Sequence, residues 1–262
     1  AFYVLRYSTF RAIYAALTAL LICFVIGPWV IKKLKEHQIG QNIRTDGPAT
    51  HMSKAGTPTM GGVIILVSMV VSTLLWVKFD QASTRLVLAV LLSTVWFAGI
   101  GAADDLIKLW RKQNLGFNIK YKFACEALCA LAVAALLYYY PVSAKYPTFV
   151  KIPLIKYPVD FGLMYYVFVM IVIVGASNAV NLTDGLDGLA VGTLIFSALS
   201  MTLVAYLVGH SKFSQYLNII YVPGSSELVV FCAAMLGACL GFLWFNAYPA
   251  QVFMGDVGSL GL

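Results

Sequence analysis

Long runs of apolar residues, each of about 18 or more, follow one another along nearly the whole chain. A run of that length can cross the hydrocarbon core of a bilayer as a helix. The pattern predicts seven transmembrane helices, over residues 12–31, 60–77, 86–103, 123–140, 161–180, 189–209 and 228–245. These helices leave no room for a separate soluble domain. We therefore predict an all-α, polytopic transmembrane helix bundle that forms a single domain over residues 1–262.

One connection departs from the helical pattern. Residues 141–160 contain Pro141, Pro147, Pro153 and Pro158, interspersed with Tyr, Phe, Val and Ile. Proline at this density excludes a helix, while the aromatic and β-branched residues favour strands. We predict a small external loop or hairpin at the membrane surface.

Composition supports the membrane assignment and changes the meaning of the charge. The chain is 61% hydrophobic and 11% charged, against roughly 25% charged in a soluble domain. The net charge of +7 therefore reports orientation rather than nucleic-acid binding. Lys and Arg concentrate after the first and third predicted helices, which makes those loops cytoplasmic by the positive-inside rule, although the opposite face is also basic. The five cysteines lie in apolar segments without paired spacing, so we expect free thiols.

Four polar residues interrupt the apolar pattern at intervals of three. Asn178, Asn181, Asp184 and Asp187 lie between the nearly uncharged runs of residues 161–175 and 189–209. Ionisable groups at a membrane boundary are costly and usually functional. On an unbroken helix Asn178 and Asp187 would lie on opposite faces, because three residues rotate the side chain by about −60°. Gly185 and Gly188 relieve this, because they allow the helix to break and the backbone to approach a ligand closely.

Two further polar motifs lie at predicted helix ends. Pro58 and Thr59 begin the second helix, and Lys54 beside them would suit a phosphate at the helix N-terminus. A capped helix with a snorkelling lysine explains this motif equally well. Asp104 and Asp105 precede Lys108, which favours either a metal site or a solvated helix end with an i,i+4 ion pair.

An isolated carboxylate lies near the start of the fourth predicted helix. Glu126 follows Lys122 by four residues. Residues at this spacing are neighbours on a helix surface, so we expect an ion pair between them.

The polar motifs share one side of the membrane. Residues 51–62, 104–108, 178–190 and 246–259 all follow odd-numbered predicted helices, so alternating passes place them on the same face. Carboxylates, amides and lysines without Cys or His suit Mg²⁺ or Mn²⁺ rather than zinc. Such a site is typical of phosphoryl transfer. An ion-coupled transporter is the alternative from another class, but the acids lie at helix ends and no inverted repeat is apparent.

The amino-acid sequences of these motifs also resemble those of a known family. Residues 57–62 read Thr-Pro-Thr-Met-Gly-Gly, residues 178–190 contain Asn-Leu-Thr-Asp-Gly-Leu-Asp-Gly, and residues 253–259 read Phe-Met-Gly-Asp-Val-Gly-Ser. With the Asp-Asp pair, these motifs resemble the bacterial phospho-N-acetylmuramoyl-pentapeptide transferases (translocase I), within the polyprenyl-phosphate N-acetylhexosamine-1-phosphate transferase superfamily. The similarity spans essentially the whole chain. The family has about ten helices, so the resemblance implies that this chain lacks about three helices and a His-rich loop at its C-terminal side, which would leave the site open there.

The resemblance implies an activity. The enzyme would transfer phospho-MurNAc-pentapeptide from UDP-MurNAc-pentapeptide to undecaprenyl phosphate with Mg²⁺, forming lipid I and UMP. It would act in peptidoglycan biosynthesis, and so in cell-wall growth and cell division, in the bacterial inner membrane with its active site facing the cytoplasm. Its partners would be the two substrates and membrane lipid, and no nucleic-acid partner is expected. Whether the enzyme forms a homodimer is left open. A sibling enzyme that uses another UDP-N-acetylhexosamine is the alternative.

The resemblance also implies roles for individual residues. Asp104 would be the base for the lipid phosphate, Asp105 its polar partner, and Asp256 the principal metal ligand. Direct attack by the lipid phosphate is favoured over an aspartyl-phosphate, because a phosphate needs only modest activation. The substrate-binding residues would be Lys54, Thr59, Lys108, Asn178, Asn181, Asp184, Gly185, Leu186, Asp187, Asn246 and Phe253, with Phe253 stacked on the uracil.

Overall fold

A computed structural model gives the architecture. It describes residues 3–37, 57–80, 83–111, 116–143, 146–152, 155 and 157–262. Within these ranges the α-helices are α1 (Ser8–Glu36), α2 (Gly62–Trp76), α3 (Ser83–Arg111), α4 (Ile119–Tyr139), α5 (Met164–Thr183), α6 (Leu189–Gly209), α7 (Ser211–Tyr216), α8 (Leu228–Asn246) and α9 (Gly255–Gly261). Short 3₁₀ turns cover Tyr3–Arg6 and Ser225–Glu227. The prediction of an all-α membrane protein is confirmed.

Six helices of the described chain are long and apolar enough to cross a membrane: α1, α3, α4, α5, α6 and α8 with its preceding turn. The second predicted span differs, because α2 has only 15 residues. At 1.5 Å per residue it covers about 22 Å, less than the roughly 30 Å of a hydrocarbon core. Pro58 and the positive φ of Met60 (69°) keep the preceding segment out of the helix, and Val77 is extended at the other end.

Small residues bring α1 and α8 into close contact at the centre of the bundle. A Cβ added to Gly237 would lie 2.0 Å from the carbonyl oxygen of Ala16, and one added to Gly241 would lie 2.8 Å from Cβ of Cys23. Small-xxx-small spacing permits such close backbone approach between membrane helices. One turn further along, Phe245 packs against Gly27, so the two helices run parallel.

The next helix runs antiparallel to this pair. Ser72 Oγ donates a hydrogen bond to the carbonyl oxygen of Ala15 (2.6 Å), and one turn later on α2 the carbonyl oxygen of Trp76 accepts one from Arg11, which lies one turn earlier on α1 (3.0 Å). The end of α2 therefore lies at the start of α1, although α2 is short. The chain therefore still changes direction between the first two helices, as the prediction of a shared face requires.

A buried ion pair joins three helices at that end. Arg11 donates to both carboxylate oxygens of Glu227, at 2.6 and 2.5 Å, and also to the carbonyl oxygen of Trp76 (3.0 Å). The backbone N–H of Lys78 donates to the same carboxylate (2.9 Å). The side chains of Arg11 and Glu227 are 7% and 8% exposed.

The connection between α4 and α5 contains the predicted hairpin. Strand β1 (Phe149–Val150) pairs antiparallel with β2 (Val159–Asp160), with Phe149 opposite Asp160. Thr148 donates a hydrogen bond to the carboxylate of Asp160, which closes the hairpin at its base.

Candidate active site

The polar motifs meet at one end of the bundle through backbone hydrogen bonds. The N–H of Phe253 donates to the carbonyl oxygen of Pro58 (2.8 Å), and the N–H of Gly61 donates to the carbonyl oxygen of Phe253 (2.8 Å). Helix α9 then begins at Gly255, whose φ is +73°. Residues other than glycine rarely adopt this backbone conformation. A Cβ there would lie 2.8 Å from Oγ1 of Thr59 and from Oδ2 of Asp105. The crossing of the segment 58–61 with the segment 253–255 therefore holds the start of α9 against α3.

Three carboxylates converge at this crossing. One oxygen from each of Asp104, Asp105 and Asp256 lies within 4.8 Å of the others. A Cβ on Gly101 would lie 2.0 Å from the carbonyl oxygen of Asp256, so glycine is required for α3 to approach α9 this closely. Backbone N–H groups orient the first two acids: Phe117 donates to Asp104 (2.6 Å) and Val257 donates to Asp105 (3.2 Å).

Two lysines offset part of the negative charge of the cluster. Lys108 Nζ lies 2.5 Å from Oδ2 of Asp104, 4.0 Å from Oδ1 of Asp105 and 3.0 Å from Oδ2 of Asp256. The predicted i,i+4 ion pair of Asp104 and Lys108 therefore exists within a larger cluster. Lys122, from α4, contacts the same Asp256 oxygen at 3.3 Å. Like charges this close need cations between them, which these lysines supply.

Lys122 is the site residue that the sequence analysis missed. It was expected to pair with Glu126, and that expectation is wrong, because Lys122 reaches Asp256 on α9 instead. Glu126 is 1% exposed and its Oε2 accepts a hydrogen bond from Asn178 Nδ2 (2.7 Å). Spacing of four makes two residues neighbours on one helix but does not decide whether another helix offers a closer partner. The shared-face pattern, which places the start of α4 at the site, was the signal that could have found Lys122.

Two acids of the site that lie outside the membrane-spanning helices, Asp184 and Asp256, have raised pKa values. Burial, and then its hydrogen bond with Asp104, raise the pKa of Asp256 above its ordinary value. Burial and the nearby negative charge of Asp256 raise the pKa of Asp184 to about 6. A cation bound between these carboxylates would favour their ionised forms and lower both pKa values.

The helix breaks between α5 and α6, as the glycines predicted. Helix α5 ends at Thr183, and Gly188 has φ of +75° where α6 begins. The N–H of Gly188 donates to Oδ1 of Asn246 (3.0 Å), whose Nδ2 donates to the carbonyl oxygen of Val252 (2.9 Å). Asn246 is 2% exposed, so its amide holds two loops together rather than facing a ligand.

The remaining predicted residues surround the carboxylates at different depths. Asn181 Oδ1 accepts a hydrogen bond from Ser259 on α9 (2.7 Å), and Asp187 accepts one from the N–H of Ala250 (3.3 Å). Asn178 is instead directed to α4, where it contacts Glu126. Thr59 is buried beside Gly255, Phe253 is half-buried, and Gly185 and Leu186 are exposed on the turn before α6. Lys54 lies outside the described residues.

The donor set fits a hard divalent cation. Carboxylate oxygens from α3 and α9 are the ligands that Mg²⁺ accepts in proteins, and the described part of the cluster offers neither thiolate nor imidazole. Magnesium is usually held by one or two carboxylates together with substrate phosphates. Lys108 and Lys122 add the positive charge that a polyphosphate would meet.

Comparisons with known proteins bear on this geometry. Residues 87–262 match the family described as Glycosyl transferase family 4, and residues 54–66 match phospho-N-acetylmuramoyl-pentapeptide-transferase signature 1. The chain is 51% identical to a protein named phospho-N-acetylmuramoyl-pentapeptide-transferase from Syntrophus aciditrophicus, 49% to one from Citrifermentans bemidjiense and 48% to one from Endomicrobium trichonymphae. Each alignment covers 100% of this chain and 71–72% of the relative.

Proposed function

The chain belongs to the phospho-N-acetylmuramoyl-pentapeptide transferase family, whose members are multi-pass membrane phosphoglycosyl transferases, and we propose that it uses that family's reaction. Phospho-MurNAc-pentapeptide would pass from UDP-MurNAc-pentapeptide to undecaprenyl phosphate. An oxygen of the lipid phosphate forms a new bond to the sugar-side phosphorus, the pyrophosphate bond breaks, and UMP leaves. The product is lipid I.

The observation that carries the proposal is the convergence of Asp104, Asp105 and Asp256 with two lysines. Asp104 lies next to Lys108, so the carboxylate can accept a proton from the lipid phosphate while the ammonium holds the phosphate oxygens. Asp256 would hold Mg²⁺, with Asp105 beside it. When bound, the ion would supply charge neutralisation at the diphosphate. Lys122 would hold a further phosphate oxygen.

The turn between α5 and α6 is proposed to bind the nucleoside. Asp184, Gly185, Leu186 and Asp187 lie on this turn, next to the loop that carries Phe253. An exposed backbone with carboxylates can receive ribose and uracil hydrogen bonds, and a half-buried phenyl ring can stack on the base. Asn178, Asn181 and Asn246 would position this turn, because their amides bond to protein groups.

The site is proposed to face the cytoplasm of a bacterial inner membrane. The described ends of α1 and α3, which carry Lys33, Lys35, Lys108 and Arg111, lie at the same end of the bundle as the carboxylates, which supports this orientation. With the native cysteines replaced, cysteines introduced at Lys33, at the site end of α1, and at Lys212 should react with an impermeant maleimide from opposite sides. Labelling from one side would contradict the orientation.

Activity is tested with the full-length protein in detergent. We expect release of UMP from UDP-MurNAc-pentapeptide that requires both undecaprenyl phosphate and Mg²⁺, and that EDTA abolishes. UMP release from UDP-GlcNAc but not from UDP-MurNAc-pentapeptide would assign the sibling reaction instead. Release without the lipid would indicate hydrolysis and contradict transfer.

The metal assignment has its own test. Asp256→Asn should lower turnover by roughly 100-fold or more, because it removes the carboxylate that would hold Mg²⁺ beside the reacting phosphates. Asp160→Asn, on the hairpin at the other end of α4 and α5, is the matched control and should retain wild-type turnover. Wild-type turnover by Asp256→Asn would refute the assignment.

A further inference from the structure

A pair of polar side chains joins α4 to α5 beside the carboxylate cluster. Asn178 Nδ2 donates hydrogen bonds to Oε2 of Glu126 (2.7 Å) and to the carbonyl oxygen of Val174 on its own helix (2.9 Å). Glu126 is 1% exposed, and its second oxygen, Oε1, has no hydrogen-bond partner within the described residues. The proposed reaction assigns no part to this buried acid.

Stability alone does not explain a carboxyl group at position 126. Burying such a group costs free energy that an apolar side chain at the same position would not cost. The hydrogen bond from Asn178 recovers only part of that cost, because the second oxygen gains no partner in the described part of the chain. A role in positioning accounts for Glu126 better than a role in stability.

Glu126 lies one helical turn from a lysine of the candidate site. Residues four apart are neighbours on one helix face, so holding Glu126 in place also fixes the point from which the side chain of Lys122 extends. Lys122 Nζ crosses from α4 to α9, where it lies 3.3 Å from Oδ2 of Asp256. The four-carbon stem of lysine is flexible and does not fix this contact by itself. The axial position of α4 relative to α9 therefore decides whether the contact is made.

Asn178 lies where α5 is joined to α9. Ser177 Oγ, one residue before it, donates a hydrogen bond to the carbonyl oxygen of Leu260 (2.7 Å). Asn181 Oδ1, one turn after it, accepts a hydrogen bond from Ser259 Oγ (2.7 Å). These two bonds hold α5 in a fixed position against α9.

Together these contacts form a closed ring through three helices. The bond from Asn178 to Glu126 joins α5 to α4, the two serine bonds join α5 to α9, and Lys122 returns from α4 to Asp256 on α9. In a closed ring each link limits the movement of the others, so the loss of one link allows the neighbouring helix to shift. A displacement of about 1 Å at a reacting group can lower a rate by as much as about 100-fold.

We propose that Glu126 is a positioning residue: through Asn178 it holds α4 at the axial position at which Lys122 meets Asp256. This inference rests on the proposed function, in which Lys122 holds a phosphate oxygen, and adds to it the residue that orients the lysine. Because Glu126 is buried between helices, it acts without touching a substrate.

Kinetics of full-length variants test this role. Glu126→Leu removes the hydrogen-bond acceptor and should lower kcat/KM by about tenfold. It fills the same space with an apolar side chain, so we expect it to fold. Glu126→Gln is the matched control: it keeps an oxygen that can accept the hydrogen bond from Asn178 and should stay within about twofold of wild type. Combined with Lys122→Met, Glu126→Leu should have little further effect, because the lysine that it positions is absent.

Three kinetic results would overturn the proposal. They are wild-type kcat/KM for Glu126→Leu, equal impairment of Glu126→Gln and Glu126→Leu, and effects of Glu126→Leu and Lys122→Met that simply multiply in the double variant. The last two would indicate a structural role that does not act through the lysine.

Labelling of lysine amines gives a readout that does not depend on turnover. In EDTA, limiting acetic anhydride should acetylate Lys122 slowly in the wild-type protein, because Lys122 pairs with Asp256. Exposed Lys120 is the internal control, measured by mass spectrometry in the same molecules. The ratio of Lys122 to Lys120 acetylation should rise by about threefold in Glu126→Leu, the scale of one partly exposed ion pair, and stay at the wild-type value in Glu126→Gln.

Asn178→Leu removes the donor of the same hydrogen bond and should raise the acetylation ratio as Glu126→Leu does. An unchanged ratio in both leucine variants would overturn the proposal. If wild-type protein released no UMP from UDP-MurNAc-pentapeptide but the labelling changed as expected, the proposed reaction would fail and the positioning of Lys122 by Glu126 would stand.

Discussion

The buried ion pair of Arg11 and Glu227 predicts a large and asymmetric effect on stability. In Glu227→Gln the guanidinium of Arg11 keeps its charge but loses a carboxylate that bonds both of its terminal nitrogens, and the N–H of Lys78 loses its charged acceptor. Both side chains are less than a tenth exposed, so water does not replace the lost bonds. The variant therefore leaves an uncompensated charge inside the bundle.

The expected cost follows from that burial. Removing one partner of a buried pair costs about 3–5 kcal/mol, which is roughly two to four powers of ten in the unfolding equilibrium constant. Replacing both partners, in Arg11→Met with Glu227→Leu, removes the stranded charge. The double variant should then be more stable than the sum of the two single changes predicts, by about 2 kcal/mol, while the carbonyl of Trp76 and the N–H of Lys78 still lack partners.

Unfolding by SDS titration in mixed micelles, followed by tryptophan fluorescence, measures these free energies. Glu36→Gln is the control, because its ion pair with Lys33 on α1 is about half exposed and should contribute no more than about 1 kcal/mol. Turnover per folded molecule should be unchanged in all variants, since this pair lies at the end of the bundle opposite the carboxylates. The reasoning is refuted if Glu227→Gln costs no more than Glu36→Gln, or if the double variant shows simple additivity.

Three further predictions concern the candidate site. Lys122→Met should lower kcat/KM by about 10- to 100-fold, because a cation beside Asp256 is lost, whereas Lys120→Met on the exposed face should have little effect in the same assay. Gly101→Ala should reduce both turnover and the SDS unfolding midpoint, since its methyl group displaces α9; a fully active, equally stable variant would contradict the contact. The pKa of Asp184, raised to about 6, means that the fold favours its protonated form, so its contribution to stability falls as pH rises from about 4 to 6. In EDTA, Asp184→Asn should reduce that slope in the unfolding midpoint, and an unchanged slope would contradict the assignment.

Much of the fold followed from hydrophobic run length alone. Six predicted spans exist as long helices because about 18 apolar residues satisfy their backbone groups internally only as a helix. The helix break before α6 and the hairpin also followed from local residues, the glycines of the motif and the prolines of 141–160. The length of α2 did not, because the pairing of Pro58 and Gly61 with Phe253, almost two hundred residues away, keeps the start of that segment extended.

The sequence by itself determined the acids of the site and the end of the bundle at which they lie, because the parity of membrane passes assigns each loop to a side. Only the tertiary structure decided which of those residues touch. It brought Lys122 to Asp256 rather than to Glu126, and it enclosed the amide of Asn246 between two loops. The physical reason is that spacing fixes neighbours on one helix, whereas contacts between helices depend on how closely their backbones pack. Here that approach is set by the absence of a side chain at Gly101 and by the turn at Gly255.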